Sequence, residues 1–450
     1  MRVRWAPLQL GTGESQGTPM SAGRRVRNRH SATRNLQGLF FLTTVVHPGD
    51  SLSSRQKLVY VIVLGALTAL GPFTVDLYLP AFPAVQKELL TTEAIVQLTL
   101  TATTIGFALG QLVVGPWSDR IGRRLPLIIA TAVHIAASVA IVLAPDVLWL
   151  GVFRILQGIG AAGGGVVAMA MVRDLFGGLP LVRMLSRLAL VSGLAPVIAP
   201  LIGSQLLLFL DWRGIFVFLA AYGVFALLAA IFFLVETLPA ARRADLGHSS
   251  MRERYRSLFS DRVFVGSIII AGMTFTGLFA YLSSSPFLFQ GVYGFDAQQY
   301  GLLFAVNSIG IVVGVQVSSR LAKFVGPQWI LLGASSSMLF FAAMILVLDL
   351  SGAGLFGVLI PLWFFIMSCG FAFPMQQVLA LNNHGSEAAT AASLMGAVNF
   401  GVAGIVSPVV GLFGVHNAVP MSVLMMGTSV VGILVMLAVV RPRSVPALAR

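Results

Sequence analysis

The sequence is dominated by apolar runs of roughly 20 residues, and a run of that length crosses the hydrocarbon core of a bilayer as a helix. From Leu58 onward we count twelve such runs. Their predicted limits are 58–80, 95–115, 125–144, 147–172, 185–210, 214–236, 263–289, 299–319, 328–349, 354–380, 388–413 and 418–440. Only 10% of the 450 residues are charged, against roughly a quarter in a soluble protein. The pattern excludes a water-soluble globule and predicts an all-α integral membrane protein.

The loops between the runs alternate in positive charge. Basic residues follow the second, fourth and eighth runs and fill the loop after the sixth, whereas the intervening loops carry few. By the positive-inside rule, both termini are expected to be cytoplasmic. The longest loop, 237–262, then separates a six-helix half at 58–236 from a second half at 263–440, and a cytoplasmic tail follows at 441–450.

Short motifs recur at corresponding positions of the two halves. Gly106-x-x-x-Gly110 in the second run matches Gly310-x-x-x-Gly314 in the eighth, and Pro200-Leu-Ile-Gly203 in the fifth matches Pro408-Val-Val-Gly411 in the eleventh. Any single Gly-x-x-x-Gly is common where membrane helices pack together. The matched positions nevertheless favour two pseudo-symmetric repeats, which is the build of a rocker-type secondary transporter with its substrate site between the repeats.

The first 57 residues are basic and rich in Gly, Ser, Thr and Asn, a composition typical of disorder. Two interpretations stay open for this tail: an organellar targeting peptide, or a true start at Met20 or a later codon. The net charge of +13 also raises the question of nucleic-acid binding. Because the basic residues lie in short clusters between apolar runs, and not in a stripe that follows phosphates, we expect no nucleic-acid partner.

Familiar catalytic and metal-binding patterns are missing from the sequence. The single cysteine, Cys369, lies in an apolar run, and no His/Cys cluster, Ser/His/Asp set or phosphate-binding loop is recognisable. Gly158-x-Gly160-x-x-Gly163 matches the dinucleotide fingerprint by letter, but it lies inside an apolar run where small residues permit close helix packing. We expect no catalytic residue, no metal and no cofactor, and therefore no enzyme.

The segment Gly115-Pro-Trp-Ser-Asp119-Arg120-Ile-Gly122-Arg123-Arg124 closes the second run and turns into the third. It resembles the loop signature of the major facilitator superfamily, Gly-x-x-x-Asp-Arg-x-Gly-Arg-Arg/Lys. Glycines allow a tight turn, and the charged side chains can form networks at a cytoplasmic seam that opens and closes. The resemblance implies a gating loop made of Gly115, Asp119, Arg120, Gly122, Arg123 and Arg124; a solvated loop that only sets topology is the alternative.

An acid lies inside the first run, in Phe73-Thr-Val-Asp76-Leu-Tyr78-Leu-Pro80, which is similar to a signature of twelve-helix drug:proton antiporters. A carboxylate within a span costs several kcal/mol unless it faces a cavity or a partner. At 1.5 Å per residue, Asp76 lies about 27 Å from Leu58, in the outer part of the membrane. Asp76 is therefore the candidate proton-coupling residue, and a structural role at the helix end is the alternative.

The fourth run carries Arg154-Ile-Leu-Gln157-Gly158, which resembles the superfamily's Arg-x-x-Gln-Gly motif. Running inward from about residue 147, Arg154 reaches a depth similar to that of Asp76, roughly 10 Å below the outer surface. The resemblance implies that the first and fourth helices both line the cavity. An interaction between Asp76 and Arg154 is then expected to poise the acid for proton exchange; an inert buried ion pair is the alternative.

The fifth run reads Gly193-Leu-Ala-Pro196-Val-Ile-Ala-Pro200-Leu-Ile-Gly203 and resembles the antiporter motif of proton-driven exporters, although Ala199 replaces the usual glycine. With Asp211-Trp212-Arg213 and Glu236-Thr237-Leu238, it is similar to the bicyclomycin and chloramphenicol resistance branch (Bcr/CflA). The resemblance covers about residues 58–440. Prolines bend the helix, and small residues let it pack closely against a neighbour; an ordinary kinked helix is the alternative.

This resemblance implies a proton-coupled exporter of lipophilic, chloramphenicol- or bicyclomycin-like drugs in a bacterial plasma (inner) membrane. It is expected to work as a monomer in contact with lipid, by alternating access and on the proton gradient alone. Asp76, Tyr78, Arg154 and Gln157 are expected to line the proton and substrate cavity. The same fold supports a proton-coupled carrier of an amino acid or sugar, which is the alternative. A receptor that no longer transports is disfavoured by the intact motifs.

Overall fold

A computed structural model describes residues 48–239, 251–382, 384, 388–406 and 408–445. Within these ranges, twelve helices are long and apolar enough to cross a membrane. The same residues form α-, 3-10 and π-helical segments joined by turns, and none of them forms a strand. The prediction of an all-α protein with twelve spans is confirmed.

The twelve long helices form two halves of six. Their bounds are α1 Ser54–Asp76, α2 Glu93–Ile121, α3 Arg124–Val142, α4 Val147–Leu175, α5 Gly178–Leu206, α6 Trp212–Phe233, α7 Arg262–Pro286, α8 Ala297–Leu321, α9 Pro327–Leu350, α10 Gly354–Leu381, α11 Ala388–Val406 and α12 Val419–Val435. Successive helices reverse direction. We call the end of the bundle that holds the last turn of α1 the Asp76 end, and the end that holds the turn between α2 and α3 the Arg123 end.

Several helix limits differ from the predicted ones. Helix α1 begins at Ser54, inside the predicted disordered tail, because Ser53 and Gln56 form a capping box: Gln56 N donates to Ser53 Oγ over 3.2 Å, and Ser53 N donates to Gln56 Oε1 over 2.9 Å. Residues 1–47 of that tail lie outside the described residues. Within the predicted linker, Met251–Ser260 is helical, whereas 240–250 lie outside the described residues.

Helix α2 is longer than predicted, and this changes the form of the gating loop. It continues to Ile121, with Pro116 inside it, so the segment from Gly115 to Arg120 is helical. The chain reverses at Gly122 and Arg123 alone, where Gly122 adopts a φ of 106°. That backbone conformation is easily accessible only to glycine. The predicted loop is therefore a helix end followed by a two-residue turn.

Helix α1 ends at Asp76, and the chain continues as a 3-10 turn, Leu79–Ala81, and a short helix, Phe82–Glu88. Pro80 and Pro83 have no backbone N–H and cannot extend the α1 hydrogen-bond ladder. Asp76 is thus the last residue of a long helix, next to an irregular segment within the same span.

The matched glycines pack equivalent helices in the two halves. A Cβ on Gly106 of α2 would lie 2.1 Å from the Ile155 carbonyl oxygen of α4, and one on Gly314 of α8 would lie 2.2 Å from the Met367 carbonyl oxygen of α10. Only glycine permits such close backbone contact. The α2–α4 contact therefore has its counterpart in α8–α10, as expected for two pseudo-symmetric halves.

The halves meet tightly at the Asp76 end. Three hydrogen bonds cross between them there: Gln290 Nε2 to Pro80 O over 3.1 Å, Gln298 Nε2 to Ser204 O over 3.0 Å, and Val415 N to Glu93 Oε2 over 2.7 Å. The rings of Phe82 and Phe287, 5.7 Å apart, also meet across this seam. The Asp76 end is closed in this conformation.

Candidate functional site

Asp76 is buried at the seam between the halves. Its side chain has neither a hydrogen bond nor a charged partner among the described residues. Four residues further along the chain, the Pro80 carbonyl oxygen accepts a hydrogen bond from Gln290 Nε2 of the second half over 3.1 Å. Asp76 therefore lies next to the segment of the first half that contacts the second half.

Four polar side chains on α7 and α8 of the second half form two hydrogen-bonded pairs, and we call them the tyrosine cluster: Tyr281, Ser285, Tyr300 and Asn307. Asn307 Nδ2 donates to the Tyr281 hydroxyl over 3.1 Å, and the hydroxyls of Tyr300 and Ser285 are 2.9 Å apart. Tyr281 and Ser285 are four residues apart on α7, and Tyr300 and Asn307 are seven apart on α8, so each pair shares a helix face. Neither tyrosine stood out in the sequence, although this spacing of polar groups inside apolar runs was a usable signal.

Arg154 lies on the opposite side of α1 and is fully buried. Its Nη1 donates to the Thr74 carbonyl oxygen over 2.9 Å and to Gln157 Oε1 over 2.8 Å. The guanidinium carbon lies 4.8 Å from the centre of the Tyr78 ring and 5.5 Å from that of Phe216. These cation–π contacts and hydrogen bonds fix the arginine against one face of α1.

We predicted that Asp76 and Arg154 interact. The prediction is wrong for this conformation, since no ion pair joins these two described residues. The reason is the geometry of α1. Thr74 and Tyr78, which contact Arg154, are each two residues from Asp76, or about 200° around the helix. Arg154 lies level with Asp76 along α1, beside Thr74 and Tyr78, but on a face of the helix that the acid does not share.

Helix α3 supports Arg154 from behind through a buried polar network. Gln157 Nε2 donates to Ser138 Oγ over 2.8 Å, and Ser138 Oγ donates to the His134 carbonyl oxygen over 2.8 Å. His134 Nδ1 lies 3.4 Å from the Gln157 carbonyl oxygen. Nε and Nη2 of Arg154 make no hydrogen bond within the described part of the chain. The network holds the arginine without neutralising its charge.

The predicted gating loop forms a charge network at the Arg123 end. Arg123 Nε donates to Asp174 Oδ2 over 2.8 Å, and Arg123 Nη1 bonds to Ser118 Oγ over 2.9 Å and to Asp119. Burial alone would lower the pKa of Arg123, but the hydrogen bond and charge of Asp174, together with Asp119, outweigh it and raise that pKa above the ordinary value. Arg123 therefore ties the end of α2 to the end of α4 as a permanent cation.

Glu236, just after α6, binds the start of α3. Its Oε1 accepts from Arg123 N over 2.8 Å and from Leu238 N over 2.9 Å, and its Oε2 accepts from Arg124 N over 3.1 Å. A carboxylate at a helix N-terminus satisfies N–H groups that have no partner within the helix. The network thus joins α2, α3, α4 and α6, all within the first half.

The sequence did not reveal Asp174 as part of this network, and Glu236 was noted only through the family resemblance. The available signal was that Asp174 lies at the end of the fourth span, on the same side of the membrane as the basic loop after the second span. Arg120 of the motif is exposed and Asp119 is partly exposed. The gating role of all six motif residues stays a prediction.

The antiporter motif lies in α5, with Pro196 and Pro200 inside the helix. A Cβ on Gly203 would lie 2.2 Å from the Leu77 carbonyl oxygen, so α5 touches α1 directly after Asp76. Next to Gly203, Ser204 packs against Gly301 of α8, while Gly193 has open space around it. The motif therefore lies where α5 contacts both α1 and α8, and its functional role stays a prediction.

Five aromatic side chains, which we call the phenylalanine cluster, join the halves near mid-depth: Phe107, Phe275, Phe279, Phe373 and Phe400. Phe107 of α2 stacks on Phe400 of α11 with centroids 4.9 Å apart, and Phe275 of α7 lies 4.9 Å from Phe400. Phe275, Phe373 and Phe400 are only partly buried. The cluster offers accessible aromatic surface between the halves.

Two amide groups beside this cluster have unused acceptors. Gln111 Oε1 on α2 and Asn399 Oδ1 on α11 are buried and accept no hydrogen bond within the described part of the chain. Gln111 lies against Gly396, one turn before Asn399 on the same helix. The α2–α11 seam therefore presents two buried oxygens that need donors.

Comparisons with known proteins agree with this architecture. The model of the Major Facilitator Superfamily matches residues 64–408. The MFS-type transporter YdgK of Bacillus subtilis (strain 168) is 33% identical over 393 residues, which cover 87% of this chain and 98% of the relative. A bicyclomycin resistance protein homolog of Haemophilus influenzae is 31% identical over 392 residues, which cover 84% and 96% of the two chains.

Among solved structures, the xylose transporter XylE from E. coli, in a partially occluded inward-open conformation, matches with a TM-score of 0.69. The match covers 88% of this chain and 99% of that chain at 12% sequence identity, so it shows the fold alone.

Twelve spans in two related halves, with a polar site at their seam, define a secondary transporter. The chain belongs to the major facilitator superfamily. It is therefore a multi-pass bacterial membrane transporter and not an enzyme.

Proposed function

We propose that this protein is a proton-coupled exporter of lipophilic, drug-like compounds across a bacterial plasma membrane. The observation that carries the proposal is the burial of Asp76 at the seam without a cation or a hydrogen-bond donor. An ionised carboxylate in that position costs several kcal/mol, whereas the neutral acid does not. The Asp76 end therefore closes at a lower free energy when the carboxyl group of Asp76 carries a proton. The similarity to a relative named for bicyclomycin resistance supports the choice of substrate class.

The proposed cycle places the Arg123 end in the cytoplasm, as the basic loops require. Asp76 then meets external water when its end is open and takes up a proton there. The protein closes at the Asp76 end, and drug arriving from the cytoplasm or inner leaflet favours release of the proton inward. One proton moved through 100 mV provides about 2.3 kcal/mol, enough for roughly a fifty-fold gradient of a neutral drug. The proton gradient is the only energy source in this proposal, with no cofactor.

The surfaces between the halves support a neutral aromatic substrate. The phenylalanine cluster offers stacking faces, which prefer aromatic ligands. Gln111 and Asn399 add two acceptors for N–H or O–H groups of a ligand. A substrate of this kind needs no charged partner in the protein. Because it is lipophilic, it concentrates in the lipid bilayer and can reach the protein from there. We propose that a single chain, acting as a monomer, contains the whole route.

The test is drug-driven proton release from inside-out membrane vesicles with an acidified lumen. Chloramphenicol, bicyclomycin and sulfonamides are added to vesicles that contain the wild type, Asp76→Asn or Asp146→Asn. Asp146 is the matched control, because it caps α4 at the same end and asparagine caps equally well. We expect release in the wild type and in Asp146→Asn, and none in Asp76→Asn.

Two results would contradict the proposal in different ways. If folded wild type responds to no drug, the exporter is refuted and a carrier of a small metabolite takes its place. If Asp76→Asn releases protons as the wild type does, the exporter stands but Asp76 is not its proton site.

A further inference from the structure

An open groove lies on the outer surface of the second half, at the Arg123 end. It is bounded by the end of α8, the first half of α9 and the middle of α10, and its volume is about 330 Å³. The main packing partners of α9 are α10 and α12, which both belong to the second half. The groove therefore lies away from the seam between the halves, and because it lies within the spans, it opens to lipid.

The floor of the groove runs along α9. Trp329 and Ser337, which both line it, are eight residues apart, or about 12 Å along the helix axis. That length is most of one leaflet of a hydrocarbon core about 30 Å thick. Between them, a Cβ on Gly333 would have no atom within 4 Å. The groove thus has the length and the free space for a hydrocarbon chain.

Two cations lie at the mouth of the groove. Arg320 is in the last turn of α8, directly before the lining residue Leu321, and Lys323 lies between the lining residues Leu321 and Val325. Arg320 and Lys323 are exposed. Neither forms a salt bridge with another described residue. Their charge therefore needs a counterion from outside the described chain.

The equivalent turn of the first half has its counterions within the protein. Arg123, which follows α2, is paired with Asp119 and Asp174. The turn after α8 contains no acid, and at the same end of the second half Asp261 binds His384. The two related turns thus carry similar positive charge, but only the first has carboxylate partners among the described residues.

Trp329 lies between the charged mouth and the apolar floor. It is in the first turn of α9 and is 44% exposed. A tryptophan at this level presents an apolar ring to an acyl chain and an N–H to a polar headgroup. From its mouth inward, the groove is cationic, then amphipathic, then apolar. An anionic phospholipid carries its complementary groups in the same order.

We propose that this groove binds one anionic phospholipid from the leaflet at the Arg123 end. The lipid phosphate lies between Arg320 and Lys323, and one acyl chain lies along α9 over Gly333. Basic pockets between membrane helices bind anionic headgroups in this way, and the bilayer supplies the ligand. The lipid gives the turn after α8 the negative charge that Asp119 and Asp174 give the turn after α2. This site is separate from the proposed transport route and does not depend on it.

The test is lipid binding to the purified full-length protein in detergent, followed by native mass spectrometry. Phosphatidylglycerol is compared with phosphatidylcholine of the same acyl chains, which has no net charge. A basic residue beside an anionic headgroup contributes about fivefold in affinity, and two contribute about thirtyfold. We expect the tightest-bound phosphatidylglycerol to bind the wild type about thirtyfold more tightly than phosphatidylcholine. Equal affinities overturn the proposal.

Charge substitutions test the mouth of the groove. Arg320→Gln/Lys323→Gln should leave the affinities for the two lipids within about twofold of each other. The matched control is Arg183→Gln/Arg187→Gln, which removes two exposed arginines from α5 at the same end, in the first half. This control should keep the preference of the wild type. A preference that survives the first pair, or that is lost equally with the second, reflects a general attraction of basic ends to anionic lipid and overturns the proposal.

Gly333→Leu tests the apolar part of the groove without changing any charge. The new side chain enters open space, so the protein should fold, but it occupies the path of the acyl chain. Phosphatidylglycerol binding should weaken at least about tenfold. Gly427→Leu on α12 is the matched control, because a Cβ there also has no atom within 4 Å, and it should bind the lipid as the wild type does. Unchanged binding in Gly333→Leu overturns the proposal.

Two further measurements complete the test. If Gly333→Leu lowers the thermal unfolding midpoint, the smaller Gly333→Val should weaken binding in the same direction by less, and undiminished binding in that variant overturns the proposal. Glycerol 3-phosphate has the headgroup charge but no acyl chain, so at equal concentration it should not displace the lipid. Displacement would assign the cations to a free phosphate compound and overturn the lipid site.

Discussion

A methyl group on Gly106 tests how closely α2 and α4 must pack. The Cβ of Gly106→Ala would lie 2.1 Å from the Ile155 carbonyl oxygen, whereas ordinary contact begins near 3.4 Å. The helices must therefore separate locally by about 1.3 Å, the difference between these two distances. The carbonyl belongs to the helix backbone and cannot rotate away. Overpacking of this kind costs about 1–3 kcal/mol, and the better helix propensity of alanine offsets at most about 1 kcal/mol.

Gly310 supplies a matched control because it is the counterpart of Gly106 in the second half. Its Cβ would lie 3.3 Å from the Trp363 carbonyl oxygen and 3.4 Å from the Trp363 ring. The same glycine-to-alanine change there gains the same helix propensity and needs almost no movement. Equivalent positions of the two repeats should therefore respond differently.

The measurement is the thermal unfolding midpoint of the purified protein in detergent. For a net cost of about 1–2 kcal/mol, we expect Gly106→Ala to lower it by about 2–8 °C, at roughly 2–4 °C per kcal/mol for a domain-sized unit. Gly310→Ala should leave it unchanged or raise it by up to about 4 °C, because its gain in helix propensity is not offset by overpacking. Equal losses in the two variants, or a loss in Gly310→Ala alone, would show that the close contact seen at Gly106 does not limit stability.

Three further substitutions have defined outcomes. Glu236→Gln keeps the volume but replaces one carboxylate oxygen with a donor at the start of α3, and it should cost about 1–3 kcal/mol, read from the same thermal midpoint; an unchanged midpoint would contradict the network. Arg154→Lys keeps the charge but loses the planar guanidinium group that binds Gln157 and α1, so drug-driven proton release should fall at least about tenfold in a folded protein. Full activity would show that transport does not require a guanidinium at this position. Phe400→Ala removes the central stack of the phenylalanine cluster and should weaken binding of aromatic drugs about tenfold in competition assays, while equal affinity would place the drug elsewhere.

The sequence by itself determined the number of spans, the class of protein and the correspondence between the two six-helix halves. All three follow from local features of the sequence. Each span needs roughly 20 apolar residues, and close helix contacts need glycine at matching positions of the two halves. The end of α2 was not determined in this way. Gly115 and Pro116 have the composition of a loop, but helices in membrane proteins tolerate both residues in their interior. The helix therefore continues to Ile121.

Only the tertiary structure decided which groups face one another. The sequence placed Asp76 and Arg154 at one depth, but it did not fix the rotation of α1 about its axis, which sets the Thr74 carbonyl and the Tyr78 ring against Arg154 and leaves Asp76 without a charged partner among the described residues. In a soluble helix, an apolar stripe marks the inner face, whereas a membrane span is apolar toward lipid and core alike. Its rotation is set by packing against helices distant in sequence, and so the separation of the buried acid from the arginine became visible only in the folded chain.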